Sequence, residues 1–327
     1  MEKRWILPKL WISKDYFWEE DRIANCLTAI IKTSGCYWAK KNGCRMCGYS
    51  KDSIPDILEL QVEKQIEKIS EKLKSEDEVE ILKIFTSGSF FDGSELSRNL
   101  RSKIYDIAER HGIKKLIVES RPEFVEEAVE TVDRDFYFEI GIGLETTDDF
   151  TRMEIINKGF SFEEFKRASD FLRSAGISVK AYLLLKPPFI SEGEAINDIL
   201  RSIETLNNEG LADIVSLNLM NVQSSTYVEF LWWRNLYRPP WLWSAVEILK
   251  SSKLRIISDP VAGGKKRGPH NCGKCDKNVV EAIRSFSLTQ DRKLLQVECE
   301  CKSEWVDYIS VERVNRIPTG IPTGIYS

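Results

Sequence analysis

No run of apolar residues in this 327-residue chain approaches the ~20 needed to cross a bilayer, which excludes helical membrane spans. The N-terminal stretch Met-Glu-Lys-Arg-Trp-Ile-Leu-Pro lacks the apolar core and cleavage site of a secretory signal, so a cytoplasmic protein with no membrane partner is expected. An excess of positive charge is missing too. With 47 Lys+Arg against 51 Asp+Glu the net charge is −4, and contact with nucleic acid would have to use a local basic patch. Disorder has no support: 42% hydrophobic and 30% charged residues are globular proportions. A chain of this length buries roughly three quarters of its unfolded surface, enough for one large domain and a small appendage. Disulfides are the last absence. Eight cysteines in a reducing compartment are poor candidates for cross-links, and seven of them fall into two groups, which points to metals.

Short apolar runs at 27–33, 79–86, 115–119, 136–144, 179–185 and 214–220 read as strands. Amphipathic helices are expected between them at 62–74, 96–110, 124–132, 162–175 and 193–207, several closed by glycine (Gly112, Gly176, Gly210). Continuous apolar strands alternating with helices predict an α/β fold: six βα units of parallel sheet curved into a partial, TIM-like barrel. Functional loops in such a barrel follow the strands. Here those loops hold a cysteine group, Thr-Ser-Gly-Ser-Phe at 86–90, Glu119-Ser-Arg-Pro and Glu145-Thr-Thr. Past residue 220 the rhythm breaks into an aromatic stretch and then a helix at 245–251. The domain boundary is therefore expected near there, with a core at 1–225 and an extension at 226–327. The closing Ile-Pro-Thr-Gly repeat at 317–324 reads as an extended arm.

Cys36, Cys44 and Cys47 stand behind the first predicted strand with no evident fourth partner. Three grouped thiolates hold three irons of a [4Fe–4S] cluster and leave the fourth iron open to an exogenous ligand, which permits chemistry there. The alternatives are a structural zinc site completed by Cys26 and unligated core thiols. However, Cys26 lies before the strand, on a segment expected to carry it toward the other end of the barrel.

The second group pairs Cys272-x-x-Cys275 with Cys299-x-Cys301, the latter expected on a strand. Two close thiolate pairs are a tetrahedral zinc signature, with a second iron–sulfur cluster as the competing reading. Such a closed site is structural. It would tie 263–305 into a small ribbon, with His270 as a neighbour rather than a ligand. Just upstream, Lys265, Lys266 and Arg267 form a basic loop that either grips a phosphate backbone or is a solvated turn. The aromatic stretch with Arg234 and Arg238 can stack on an unpaired base. Its alternation of Trp with Leu and Phe instead assigns Trp232, Trp233, Trp241 and Trp243 to the core.

Lys-Thr-Ser-Gly-Cys36, Cys44-Arg-Met-Cys47-Gly, Phe85-Thr-Ser-Gly-Ser-Phe90, Glu119-Ser-Arg-Pro-Glu123, Gly141-Ile-Gly-Leu-Glu-Thr146, Asn157-Lys-Gly159 and Gly-Pro-His-Asn-Cys272-Gly-Lys-Cys275 together resemble the radical-SAM (S-adenosylmethionine) proteins of archaeosine tRNA biosynthesis. The likeness runs from about residue 20 to 305. The cysteine triad is widespread among radical-SAM enzymes, whereas the Pro-His-Asn-Cys-x-x-Cys ending is much narrower and decides the family.

The resemblance implies a radical-SAM barrel in which Cys36, Cys44 and Cys47 hold the cluster and SAM chelates the open iron. Met46 would pack near the adenine, and Thr86, Ser87, Gly88 and Ser89 would hold the methionine ammonium. Glu119 would accept from ribose hydroxyls; Glu145 with Lys158, or Arg121, would bind the carboxylate or ribose. Surface ion pairing is the competing reading for these last four. The implied reaction cleaves the lysine carbon–nitrogen bond of a lysine-adduct 7-deazaguanine at tRNA position 15. It would need a lysine-transferring partner subunit and a reducing electron donor. No catalytic residue beyond the cluster ligands is identifiable. Two other readings remain: radical-SAM chemistry on a different tRNA or protein, and a non-catalytic, zinc-stabilised RNA-binding module.

Overall fold

A computed structural model describes residues 6–315. The repeat at 317–324 lies outside the described residues. Eight strands form one sheet in sequence order, β1 to β8, curled into a half-barrel with helices packed on it. They are β1 (Lys9–Phe17), β2 (Arg22–Ile30), β3 (Val79–Phe85), β4 (Lys115–Ser120), β5 (Tyr137–Glu145), β6 (Ser178–Leu185), β7 (Ile214–Leu219) and β8 (Ile256–Ile257). The helices are α1 (Tyr37–Lys41), α2 (Glu59–Lys74), α3 (Arg98–Arg110), α4 (Phe162–Ser174), α5 (Glu192–Asn208), α6 (Tyr227–Trp233), α7 (Leu242–Ser251), α8 (Asp276–Thr289) and α9 (Cys301–Asn315). Among the described residues no helix is long and apolar enough to cross a membrane.

Strands β2 to β7 are the six expected from the sequence. Both faces of a covered parallel sheet are buried, and that burial makes such strands read as continuous apolar runs. Helix ends follow local chemistry. Ser191 caps α5 in a capping box with Glu194, and Gly112, Gly176 and Gly210 take left-handed φ of 66°, 74° and 64° just past α3, α4 and α5.

Three expectations change. Strand β1 is additional to the six, and β2 begins at Arg22 rather than 27 because it pairs antiparallel with β1 from Lys9 opposite Ile30 to Phe17 opposite Arg22. The 124–132 helix is a run of 3-10 turns over Pro122–Thr131. The Cys299-x-Cys301 pair is not on a strand: Cys301 is the first residue of α9, so the 263–305 segment is a loop, α8 and a helix start rather than a ribbon.

Two compact units are present. The first comprises the chain to Asn42, Tyr49–Gly143 and Glu163–Lys180; the second comprises Gly43–Gly48, Leu144–Phe162 and the chain from Ala181. In the first, Phe17, Ala24, Cys26, Ile81 and Ile117 form a buried apolar cluster. Cys26 is 0% exposed there, and burial pushes its thiol pKa up. The thiol therefore stays protonated, as an inert core group does.

Near the N-terminal ends of β4, β5 and β6, Glu139 pairs with Lys115 at 2.7 Å and with Lys180. Burial opposes ionisation of Glu139, but the two lysines outweigh it and hold the carboxyl down at about 2. Glu19, 2.9 Å from Lys115, supplies the second negative charge, so a balanced charge set occupies this end of the strands, opposite the end that carries the candidate loops.

In the second unit the aromatic stretch splits. Trp241 and Trp243 are each 1% exposed, as expected of core residues, whereas Trp233 is 67% exposed and Trp232 half-buried. A seven-residue helix has only one face to bury, and Val228 and Leu231 take it.

Candidate functional site

The chain leaves β2 and reaches Cys36 through Gly35. A φ of +88° there, and a Ser53 Oγ that would stand 2.5 Å from any Cβ at the position, leave no room for another residue. Cys36 caps α1 and is partly exposed. Nearby, the Thr33 hydroxyl donates to Glu95 Oε2 at 2.6 Å, and the Ser89 N–H donates to Glu95 Oε1 at 2.8 Å. Glu95, buried and with its carboxyl pKa raised mainly by that burial, therefore fastens the Thr86–Ser89 loop to the base of the Cys36 loop. Sequence reading missed Glu95 because an acidic residue after Asp-Gly-Ser carries no local signal.

Within this unit Gly88 makes the closest approach. A Cβ on Gly88 would collide with Glu95 Oε1 and lie 2.7 Å from the Cys36 Cα. Gly88→Ala is therefore expected to push the Cys36 backbone aside, costing about 1–3 kcal/mol of stability. It should also lower the iron retained after anaerobic reconstitution. Urea unfolding and iron analysis check this, and wild-type values for both would refute it.

Of the other predicted residues in this unit, Ser89 is buried and its Oγ accepts from the Arg121 N–H at 3.1 Å. Thr86 Oγ1 accepts from the Gly88 N–H at 3.3 Å. Glu119 stands at the end of β4, and its carbonyl accepts from the Phe90 N–H at 2.9 Å. The Arg121 guanidinium is held by Glu123 at 2.7 Å and lies over the rings of Tyr37 and Trp38. Ser87 is half-buried in the same loop.

Cys44, Met46 and Cys47 belong to the second unit, on a short loop whose backbone is bound almost throughout. The Cys47 N–H closes a turn on the Cys44 carbonyl at 3.1 Å, and the Arg45 N–H donates to the Ile156 carbonyl at 2.9 Å. Asn157 Nδ2 donates to the Gly43 carbonyl at 2.7 Å, while the Gly48 N–H donates to Gln223 Oε1 at 2.6 Å. Cys44 and Met46 pack against a cluster of Ile156, Leu184, Met220, Val222, Val228, Leu231 and Tyr237. Thr151–Ile156, which grips this loop, is a π-helix closed by Asn157 in the left-handed region at φ 61°. Single π-turns of this kind recur at functional sites. The spacing of Asn157-Lys-Gly159 gave no sign of it.

Glu145 ends β5 with φ of +69°, a conformation rare for a residue with a side chain. Its carboxylate meets Lys158 Nζ at 2.6 Å, both side chains being largely buried. The turn thus aims a paired carboxylate and ammonium from the strand end.

The second cysteine group converges. The sulfurs of Cys272, Cys275, Cys299 and Cys301 all lie within 4.8 Å of one another, with Cys272–Cys275 and Cys272–Cys299 at 3.9 Å and Cys275–Cys301 at 3.7 Å. Asn271 Nδ2 donates to Cys275 Sγ at 3.4 Å and Trp243 Nε1 to Cys301 Sγ at 3.3 Å. N–H···S contacts of this kind are found around metal-binding thiols, where they orient the sulfurs. His270 is outside the group. Its Nδ1–H donates to the Gly268 carbonyl at 2.8 Å, and burial pushes its pKa down to about 4.

The family model of the radical SAM superfamily matches residues 30–203, from the end of β2 into α5. A protein of Methanosarcina acetivorans named archaeosine synthase subunit beta is 44% identical over 299 residues, 88% of this chain and 85% of the relative. Its namesake from Thermococcus kodakarensis is 39% identical over 313 residues, 90% and 95% of the two chains. Among solved structures, the N-terminally truncated Elp3 of Methanocaldococcus infernus superposes with a TM-score of 0.51 at 16% identity, covering 70% of this chain and 59% of that one. A radical SAM methyltransferase of Sphaerobacter thermophilus gives 0.51 at 12% identity, covering 77% and 71%. These two structures bear on the fold alone. Superfamily membership implies a [4Fe–4S] cluster and SAM as cofactors. With a cysteine loop between β2 and β3, a half-barrel shared with such enzymes and 39–44% identity to those subunits over most of its length, the chain belongs to the radical SAM superfamily and, within it, to the archaeosine synthase beta-subunit family.

Proposed function

We propose that this chain is the radical-forming subunit of an archaeosine synthase. It would act on tRNA in which a partner subunit has attached lysine to a 7-deazaguanine base at position 15. The reading is carried by the 44% identity to a named beta subunit across 88% of the chain. That name, "subunit beta", supports a partner subunit.

Three thiols without a fourth, and a Gly88 loop that only glycine can bring against Cys36, suit a cluster with one open iron. When bound, the cluster and SAM supply an electron and a 5′-deoxyadenosyl radical able to take hydrogen from the lysine carbon that bears the nitrogen. The chain's own residues bind and orient. Cys36, Cys44 and Cys47 would be the ligands, and the 86–89 loop would receive the methionine ammonium. Glu145 with Lys158 would receive the carboxylate or ribose, Glu119 would accept from ribose hydroxyls, and Met46 would pack near the adenine. Arg121, whose Nε is held by Glu123, would be the second candidate to receive the carboxylate. Holding the target carbon in near-attack geometry and keeping water away is the protein's share of the rate. Passing one further electron from that carbon back to the cluster, followed by hydrolysis of the carbon–nitrogen double bond so formed, would leave an amidine on the base and release the lysine as its semialdehyde.

The four-thiol site of the 226–327 extension would hold a single zinc ion. A tetrahedron with metal–sulfur bonds of about 2.3 Å has edges of about 3.8 Å. Three of the six sulfur spacings are 3.7–3.9 Å and all lie within 4.8 Å, which fits it. A second [4Fe–4S] cluster would spread its ligands over four irons, well beyond that spacing.

Anaerobically reconstituted protein, given SAM, a reductant and lysine-adduct tRNA, is expected to yield archaeosine and 5′-deoxyadenosine by mass spectrometry. SAM cleavage with the lysine adduct left intact would move the chemistry to another substrate. Intact SAM with a zinc-only first site would make the chain a non-catalytic RNA-binding subunit.

A further inference from the structure

We propose that the outer face of α6, with the basic loop at 265–267, is a stacking platform for unpaired RNA bases beside the Cys44–Cys47 loop. It rests on the tRNA reading and adds to it the surface on which the RNA lies.

Helix α6 is apolar on both faces. Val228 and Leu231 face the core, where a seven-residue helix would ordinarily be balanced by a polar outer face. Instead, that outer face carries Tyr227, Phe230 and Trp233 at helical spacing, 44%, 45% and 67% exposed. Exposed apolar surface of this kind marks an interaction site. Its composition narrows the partner. The Tyr227 and Phe230 rings are stacked, 5.7 Å apart and 15° from parallel, and the Arg234 guanidinium lies 3.6 Å over Phe230. Lys266 and Arg267 approach the Trp232 ring at 5.8 and 5.1 Å. Lys265 and Lys266 are exposed, and the one carboxylate of α6, Glu229, is neutralised by Arg267.

Flat aromatic faces alternating with cations suit bases and phosphates, because every base has a π-face and the phosphates need positive charge. Tyr, Trp, Phe and Arg also suit a protein partner, and it is the charge that separates the two. Here the charge complementarity is to an anion, on a chain whose net charge is −4. The position is also apt. Trp232 packs on the same cluster as Cys44 and Met46, and the Tyr227 N–H donates to the Arg45 carbonyl at 3.1 Å. A base stacked on α6 would therefore sit next to the loop that carries two of the proposed cluster ligands.

The test is fluorescence anisotropy of an unmodified tRNA transcript with the full chain and three variants: Phe230→Ala/Trp233→Ala, Lys265→Gln/Lys266→Gln, and Trp233→Phe. Melting temperature and iron content identify any misfolded variant. The aromatic double variant is expected to lose about tenfold or more in affinity, with Trp233→Phe retaining most of it. The lysine double variant should flatten the salt dependence by roughly 1.4 in slope. Wild-type affinity in all variants, or no binding of the transcript by the wild type, overturns the platform. So does unchanged tRNA affinity with lost capture of the purified partner subunit, which would make the face a protein interface. Failure of the tRNA reading shows separately, as missing archaeosine in the product analysis.

Discussion

Alanine at Cys44 is expected to reduce 5′-deoxyadenosine formation to background and to remove the brown iron–sulfur absorbance from reconstituted protein. The same holds for Cys36 and Cys47, because a cluster that has lost one of three protein ligands has two weakly held irons and cannot present a single open site. Cys26→Ala is the matched control. Its thiol is fully enclosed by Phe17, Ala24, Ile81 and Ile117, so its removal should cost about 1 kcal/mol of packing and leave iron content unchanged. Iron analysis and SAM cleavage on all four variants check the expectation. Loss of metal in Cys26→Ala to the extent seen in Cys44→Ala would instead favour a four-thiol structural site.

Cys275→Ser should act on stability rather than on radical chemistry. The four sulfurs join the knuckle before α8 to the first residue of α9, and binding of a structural zinc ion by four thiolates is worth about 10–16 kcal/mol in small zinc domains. That is as large as the whole stability of a typical domain, so the variant is expected to unfold locally or to express insolubly. Trp243, whose indole N–H donates to Cys301 Sγ, is one of nine tryptophans and reports on the site by the difference in fluorescence from Trp243→Phe protein. Metal analysis should find one zinc per chain in the wild type and none in the variant. An unchanged melting temperature and Trp243 emission would show that the ion does not support the fold.

The barrel was legible because burial of both sheet faces writes itself into sequence: six apolar runs, each bounded by glycine or polar loops, correspond to β2 to β7 within a few residues. The convergence of the four downstream thiols was legible for a similar reason, since residue type and spacing are local properties. Strand β1 was not. It lies at the sheet edge with only Phe17 buried and the rest exposed or half-buried, so its residues show neither continuous apolarity nor clean alternation. The helix expected at 124–132 formed only 3-10 turns, where the chain follows Pro122 over a short connection.

Sequence by itself determined the fold class, the three cysteines without a fourth, the paired thiols downstream and the family. All of these depend on residue type, spacing or similarity along the chain. Only the tertiary structure decided that Cys26 is sealed in a core and that Glu95 binds two loops together. It alone also decided that Glu145 turns left-handed onto Lys158, and that Trp233 faces outward while Trp241 and Trp243 face in. Each of those is set by what segments distant in sequence pack against, and a side chain's burial and partner are properties of that packing.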